Sequence, residues 1–172
     1  MRKVKAGLLI FSAMSFLLSN AFADQPTFQD PLLDHLVGNW VLQGTIAGSN
    51  TTHDVQAAWV MNHQYLRIHE ISRELNPAGQ PAYEATVFIG WDQPSSQYAC
   101  VWLDTYGGVS SQSIGNAKRN GDEIPFLFKF STGPFHTTFS YIAQKDSWTW
   151  QMDSEDNGHL TPFARVTLTH AR

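Results

Sequence analysis

Leu36-Val37-Gly38-Asn39-Trp40-Val41-Leu42-Gln43-Gly44-Thr45-Ile46 is the stretch whose reading decides the fold. Trp40, Leu42, Gly44 and Ile46 fall on one face, and Val41, Gln43 and Thr45 on the other, the period of a half-buried strand. A short helical segment, Pro31 to Val37, precedes it, with Asp30 at the capping position and Pro31 at the first helical one. A Trp opening the first strand, with Arg165 on the last, points to a small closed β-barrel. The pair is expected to seal its base, the Arg165 guanidinium lying across the Trp40 ring.

The alternation continues outward from Ile46, broken by turn residues about every eight to twelve positions. Strands are expected over Val55–Met61, Tyr65–Leu75, Tyr83–Trp91 and Gln97–Asp104, then a weak Ser-rich one over Val109–Ala117. Ile124–Phe130, Phe135–Ala143, Ser147–Met152 and Phe163–His170 complete the set, with Asp153–Pro162 read as a polar loop. Asn120-Gly121 is a tight-hairpin signal. No helical pattern is long enough to supply the crossovers of a parallel sheet. The fold class is therefore all-β: an up-and-down antiparallel barrel of about ten strands with a short N-terminal helix.

The chain begins with the pattern of a cleavable export signal. Arg2, Lys3 and Lys5 form a basic start, Ala6 to Leu18 an apolar run, and Ala21-Phe22-Ala23 a small-residue cleavage site. Residues 1–23 are thus expected to be removed, leaving 24–172 as a single periplasmic or secreted domain with no membrane anchor. The whole chain carries a net charge of −4, with 11 Lys and Arg against 15 Asp and Glu. Losing the three leader cations brings the remainder near −7, which argues against nucleic acid and anionic membrane surfaces as partners. Cys100 is the one cysteine, so no internal disulfide forms and the core must hold the fold.

The inward set of the alternation is rich in rings. It contains Trp40, Trp59, Trp91, Tyr98, Trp102, Phe126, Phe128, Phe130, Phe139, Tyr141, Trp148 and Trp150. So many large side chains around about ten strands suggest a barrel wide enough to leave a cavity for a small apolar or aromatic molecule. Tyr98, Trp102, Tyr141, Trp148 and Trp150 are expected to wall it, their polar tips suiting a flat or partly polar ligand. Glu70 and Asp104 interrupt the same face and are candidate polar anchors at the rim. A buried carboxylate at either position would instead suit a general acid or base, and a barrel packed solid would be structural only.

Other chemistry is not encoded. His35, His53, His63, His69, His136, His159 and His170 show no metal-ligand spacing and read as surface or rim residues. There is no nucleophile-elbow or phosphate-loop motif. Cys100 lies between Tyr98 and Trp102 on one face, the setting of a buried, inert thiol. No cofactor, metal or catalytic residue is assigned.

Gly38-Asn39-Trp40 after a short helix, with an arginine on the closing strand, resembles the lipocalin and calycin signature. Four segments in order are similar to the bacterial family designated domain of unknown function 1579: Leu36 to Trp40, Ala58 to Leu66, Ile89-Gly90-Trp91-Asp92 and Tyr98 to Asp104. His63 departs from that pattern, standing where such relatives tend to carry glycine. The resemblance implies a lipocalin-like barrel and no established activity. The related haem-binding nitrobindin-type barrels use a histidine near the C-terminal end; His159 and His170 are the candidates here, and neither lies in a matching stretch.

Overall fold

The structure, a computed structural model, describes residues 27–107 and 111–172. The leader expected over 1–23, with its cleavage site at Ala23, and the start of the strand expected at Val109 lie outside the described residues. A four-residue helix, α1 (Pro31–Asp34), precedes ten strands. They are β1 (Gly38–Ile46), β2 (Ser49–Val60), β3 (Tyr65–Ser72), β4 (Glu84–Asp92), β5 (Gln97–Asp104), β6 (Ile114–Ala117), β7 (Glu123–Phe130), β8 (Gly133–Ile142), β9 (Ser147–Asp156) and β10 (His159–His170). Each strand pairs antiparallel with its neighbours in sequence, and β10 pairs with β1, so the sheet closes into an up-and-down barrel with no free edge.

Alternation builds the interior as the sequence implies. Leu42, Leu66, Ile68, Val87, Ile89, Cys100, Phe126, Phe139, Trp148, Trp150 and Leu168 are all buried, and the burial of each aliphatic or Phe side chain stabilises by about 1.5–3 kcal/mol. Asp30 caps α1 as expected, its carboxylate accepting from the N–H groups of Leu32 (2.9 Å) and Leu33 (3.1 Å). Leu32, Leu33 and Leu36 then press into the barrel end. Several expectations about length fail. The helix ends at Asp34 instead of Val37 and β3 at Ser72 instead of Leu75, and Ser111–Ser113 form a 3-10 turn where the Ser-rich strand is expected. β2 starts at Ser49, directly after the first turn, instead of at Val55. The stretch Asp153–Pro162 is not a loop: β9 and β10 run through it and turn at Asn157-Gly158. That hairpin projects past the core, so its ladder forms without an apolar face to announce it.

The pairing of Trp40 with Arg165 is not made. Register sets Trp40 opposite His170 and Arg165 opposite Thr45, five residues along the seam and about 16 Å away. Trp40 stacks on the His170 ring at 4.0 Å between centroids. Arg165 lies on the outer face, because Ala164, Val166 and Leu168 take the inward positions of β10. Its guanidinium donates to the carbonyls of Met152 and Ala164 and to the Asp153 carboxylate. Parity excludes the cation–π contact.

Candidate ligand-binding cup

The two barrel ends differ in chemistry. At one end the segment before β1 folds across the opening and is pinned by ring tips. The indole N–H of Trp40 donates to the Leu36 carbonyl (2.8 Å), that of Trp59 to Asp34 (2.8 Å) and that of Trp148 to the His35 carbonyl (3.3 Å). Tyr98 donates its hydroxyl proton to the Asp30 carboxylate; burial and that nearby carboxylate push its phenol well above the usual range. Phe28 packs edge-on to Trp59 and Tyr98, while Tyr141 stacks on His35 at 4.3 Å and donates to Asp146 (2.8 Å). This end is a plug.

The other end is a cup. A cavity of about 780 Å³ opens between the β1–β2 turn, the β3–β4 connection and the β7–β8 and β9–β10 hairpins. Of the residues expected to form a binding wall, Glu70, Trp102 and Asp104 line it. Tyr98, Tyr141 and Trp148 do not; they serve the plug. Trp150 lies fully buried in the core against Phe139 (4.8 Å between centroids), and its indole N–H has no hydrogen-bond partner among the described residues. For Tyr98, Tyr141, Trp148 and Trp150 the structure differs in height and not in face, because alternation reports which side of a sheet a residue faces and not its position along the barrel axis.

Glu70 is not a rim residue. It is 2% exposed, and its Oε1 meets Nδ1 of His53, itself 3% exposed. His53 Nε2 lies 2.7 Å from the Thr51 hydroxyl, which donates to Glu74 Oε2 at 2.9 Å. Since Thr51 gives its own proton to Glu74, it accepts from Nε2–H, which fixes the tautomer. One further proton then lies between Nδ1 and Glu70. Glu74 also accepts from the Thr52 N–H (3.0 Å); burial opposes its charge, but these hydrogen bonds and His53 outweigh it and hold the carboxyl below its ordinary range.

Tyr83 stands over this relay, its ring 5.8 Å from His53, and its oxygen accepts from the Trp102 indole N–H at 3.0 Å. Burial first, then the negative charges of Glu70 and Asp104, drive its phenol far above the usual range, so the proton stays on. Asp104 is half-buried and accepts from the Tyr106 N–H (2.9 Å). The facing wall is apolar: Phe128, Phe130, Phe135, Met152 and Phe163.

Sequence reading missed His53, Thr51, Glu74 and Tyr83 as site residues. The signal for His53 was present, because His53, Val55, Ala57 and Trp59 keep period two, but it lay in a segment not read as strand. The other six histidines sit at partly or fully exposed positions, as expected, and the described residues contain no group that could hold a metal ion. No family model matches the chain, and no match is found among curated proteins.

Proposed function

We propose that this protein is an exported, calycin-like carrier that takes a small molecule with an apolar or aromatic body into the cup. The observation that carries the reading is the open cavity of about 780 Å³, within the roughly 300–1,000 Å³ range of small-molecule sites and with few polar groups on an apolar lining. A barrel built only as a structural module needs no such space. The leader-like sequence of residues 1–23 supports export, and the four segments resembling the family of domain of unknown function 1579 support the kinship.

The test is native mass spectrometry of protein recovered from its own cell envelope or medium, followed by a thermal-shift screen of apolar and aromatic metabolites. A retained or added ligand should raise the melting temperature, contributing about 2.7 kcal/mol at a hundredfold excess over Kd. If no compound is retained and none in a broad screen shifts the transition, the carrier reading falls.

One observation favours a second reading. Glu70 is deep in the barrel, and the His53 contact is the geometry of a general acid–base pair. An enzyme on the same cup would convert the bound molecule, and Glu70→Gln would abolish turnover while binding persisted. A ligand recovered unchanged after prolonged incubation with the protein would exclude it.

A further inference from the structure

We propose that the cup moves a proton on the carbon beside a carbonyl group. Glu70 takes the proton, Tyr83 holds the carbonyl oxygen, and a line of side chains from His53 through Thr51 to Glu74 connects the buried acid to the rim. This rests on the reading of the cavity as a ligand site and specifies the chemistry of the acid–base pair within it. Glu70 and His53 are 2% and 3% exposed, and both line the cavity. From His53 Nε2 the hydrogen bonds run to the Thr51 hydroxyl (2.7 Å) and on to Glu74 (2.9 Å), which is exposed at the mouth. A pair that only neutralised itself in the core would need no such outlet. Each link aims a donor at an acceptor, so a proton arriving at the buried end can be matched by one leaving at the rim.

Tyr83 supplies the donor that an enolate needs. Its oxygen accepts from the Trp102 indole N–H at 3.0 Å. With that lone pair engaged, the hydroxyl proton is left for an acceptor in the cavity, and the indole's donation makes the hydroxyl a stronger donor. The Tyr83 ring lies 5.8 Å from that of His53, so the phenol and the acid–base pair face a ligand from the same wall. On the inner face only Ala85 stands between Glu70 and Asp104, and its methyl leaves room there for the reacting carbon. A donor fixed where negative charge develops is worth more in a water-excluded cavity than in water. The apolar wall opposite, with Phe128, Phe130 and Phe135, takes the rest of the molecule.

The step balances without an oxidant. With the shared proton on His53 Nδ1, Glu70 is a carboxylate. It takes the proton from the carbon next to the carbonyl; the C–H electron pair becomes the enolate double bond, and the carbonyl π pair moves onto oxygen. That oxygen accepts from the Tyr83 hydroxyl, which keeps its proton throughout, and the imidazolium beside Glu70 offsets the charge. Glu70 then returns a proton to carbon. Delivered to the other face it inverts a stereocentre, and delivered to the far end of a conjugated double bond it shifts that bond. One C–H bond breaks and one forms.

A ketone and its parent hydrocarbon, 2-tetralone and tetralin, test this in heavy water with the full mature chain. Proton NMR follows loss of the ketone's C1 methylene signal, and calorimetry follows binding of both compounds. The protein should speed C1 exchange about a hundredfold or more over buffer alone. Glu70→Gln should return the rate to that of buffer, and Tyr83→Phe should lower it about tenfold or more, each without loss of tetralin binding. Thr51→Val, which cuts the line to the rim and keeps the shape, should slow exchange at unchanged affinity, and Thr51→Ser should restore it. Tyr83 is half-buried, so its variant decides the matter if Glu70→Gln does not fold. Bound 2-tetralone that exchanges no faster than in buffer overturns the proton-transfer inference and leaves the carrier cup intact. A parent rate retained in Glu70→Gln or Tyr83→Phe does the same. Failure of 2-tetralone to bind also overturns the inference, and the cup falls with it only if the broad screen is silent too.

Discussion

His53 shows how much one side chain can alter the meaning of a site. Glu70 alone, buried at 2% exposure, would be an uncompensated carboxylate in an apolar barrel, a state that proteins avoid. His53→Ala should therefore lower stability by about 1–3 kcal/mol, seen as a lower urea midpoint at unchanged m-value. A midpoint within error of the parent would mean the pair contributes nothing net. Arg165→Ala should cost no more than about 1 kcal/mol, because its ion pair with Asp153 is partly exposed and Trp40 gains nothing from it. Acid should act through other carboxylates. The Arg73 guanidinium lowers the pKa of Asp54, the Tyr141 hydroxyl and His170 lower that of Asp146, and Glu74 is lowered as described. Folded pKa values below the unfolded ones contribute stability that is fully present above about pH 5 and is lost as pH falls through the folded values. Urea midpoints at pH 7 and pH 5 should nearly coincide and then decline toward pH 3. A flat profile would show that these groups titrate alike in both states.

At the scale of elements, the closing seam and the plug carry the fold, and they were legible to different degrees. Gly44 on β1 lies where β10 approaches closely: its φ is +152°, and a Cβ there would sit 2.2 Å from the Arg165 carbonyl oxygen and 2.8 Å from the Val166 Cα. Both obstacles are backbone, so Gly44→Ala must part the strands and should cost about 3 kcal/mol or more. Thermal melts that match the parent would contradict this. The strand faces could be read from alternation, because period two is a local property; closure by the last strand was expected from Trp40 and Arg165, and it forms although the two do not meet. The plug could not be read this way. Trp148 and Tyr98 look like cavity walls in sequence, and only the long-range contacts with His35 and Asp30 give their tips another task. Asp30 serves both α1 and Tyr98, so Asp30→Ala should destabilise by about 1–3 kcal/mol. Asp30→Asn, which keeps an accepting oxygen, should recover much of the loss. Equal losses in the two variants would show that the charge, not the cap, is what Tyr98 and the helix require.

The whole molecule is a barrel filled at one end and hollow at the other, and its tryptophans report the division. Of the six, Trp40, Trp148 and Trp150 are buried in the filled half, while Trp59 and Trp91 pack around Phe28 at the plug. Trp102 is the one that lines the cavity. Cys100, two residues below it on β5, is fully buried, and burial pushes its thiol far up, so thiol reagents should label it only as the barrel opens. A ligand seated in the cup touches Trp102 and none of the others. A contact quencher that does not absorb in the tryptophan emission band should therefore remove only Trp102's share of the fluorescence and then saturate. In Trp102→Phe the quench should vanish while the ligand-induced thermal shift persists in direction, since most of the cavity wall is intact. Should the quench survive in Trp102→Phe, the ligand must be contacting rings at the plug, and the cup would lose its claim to be the binding site.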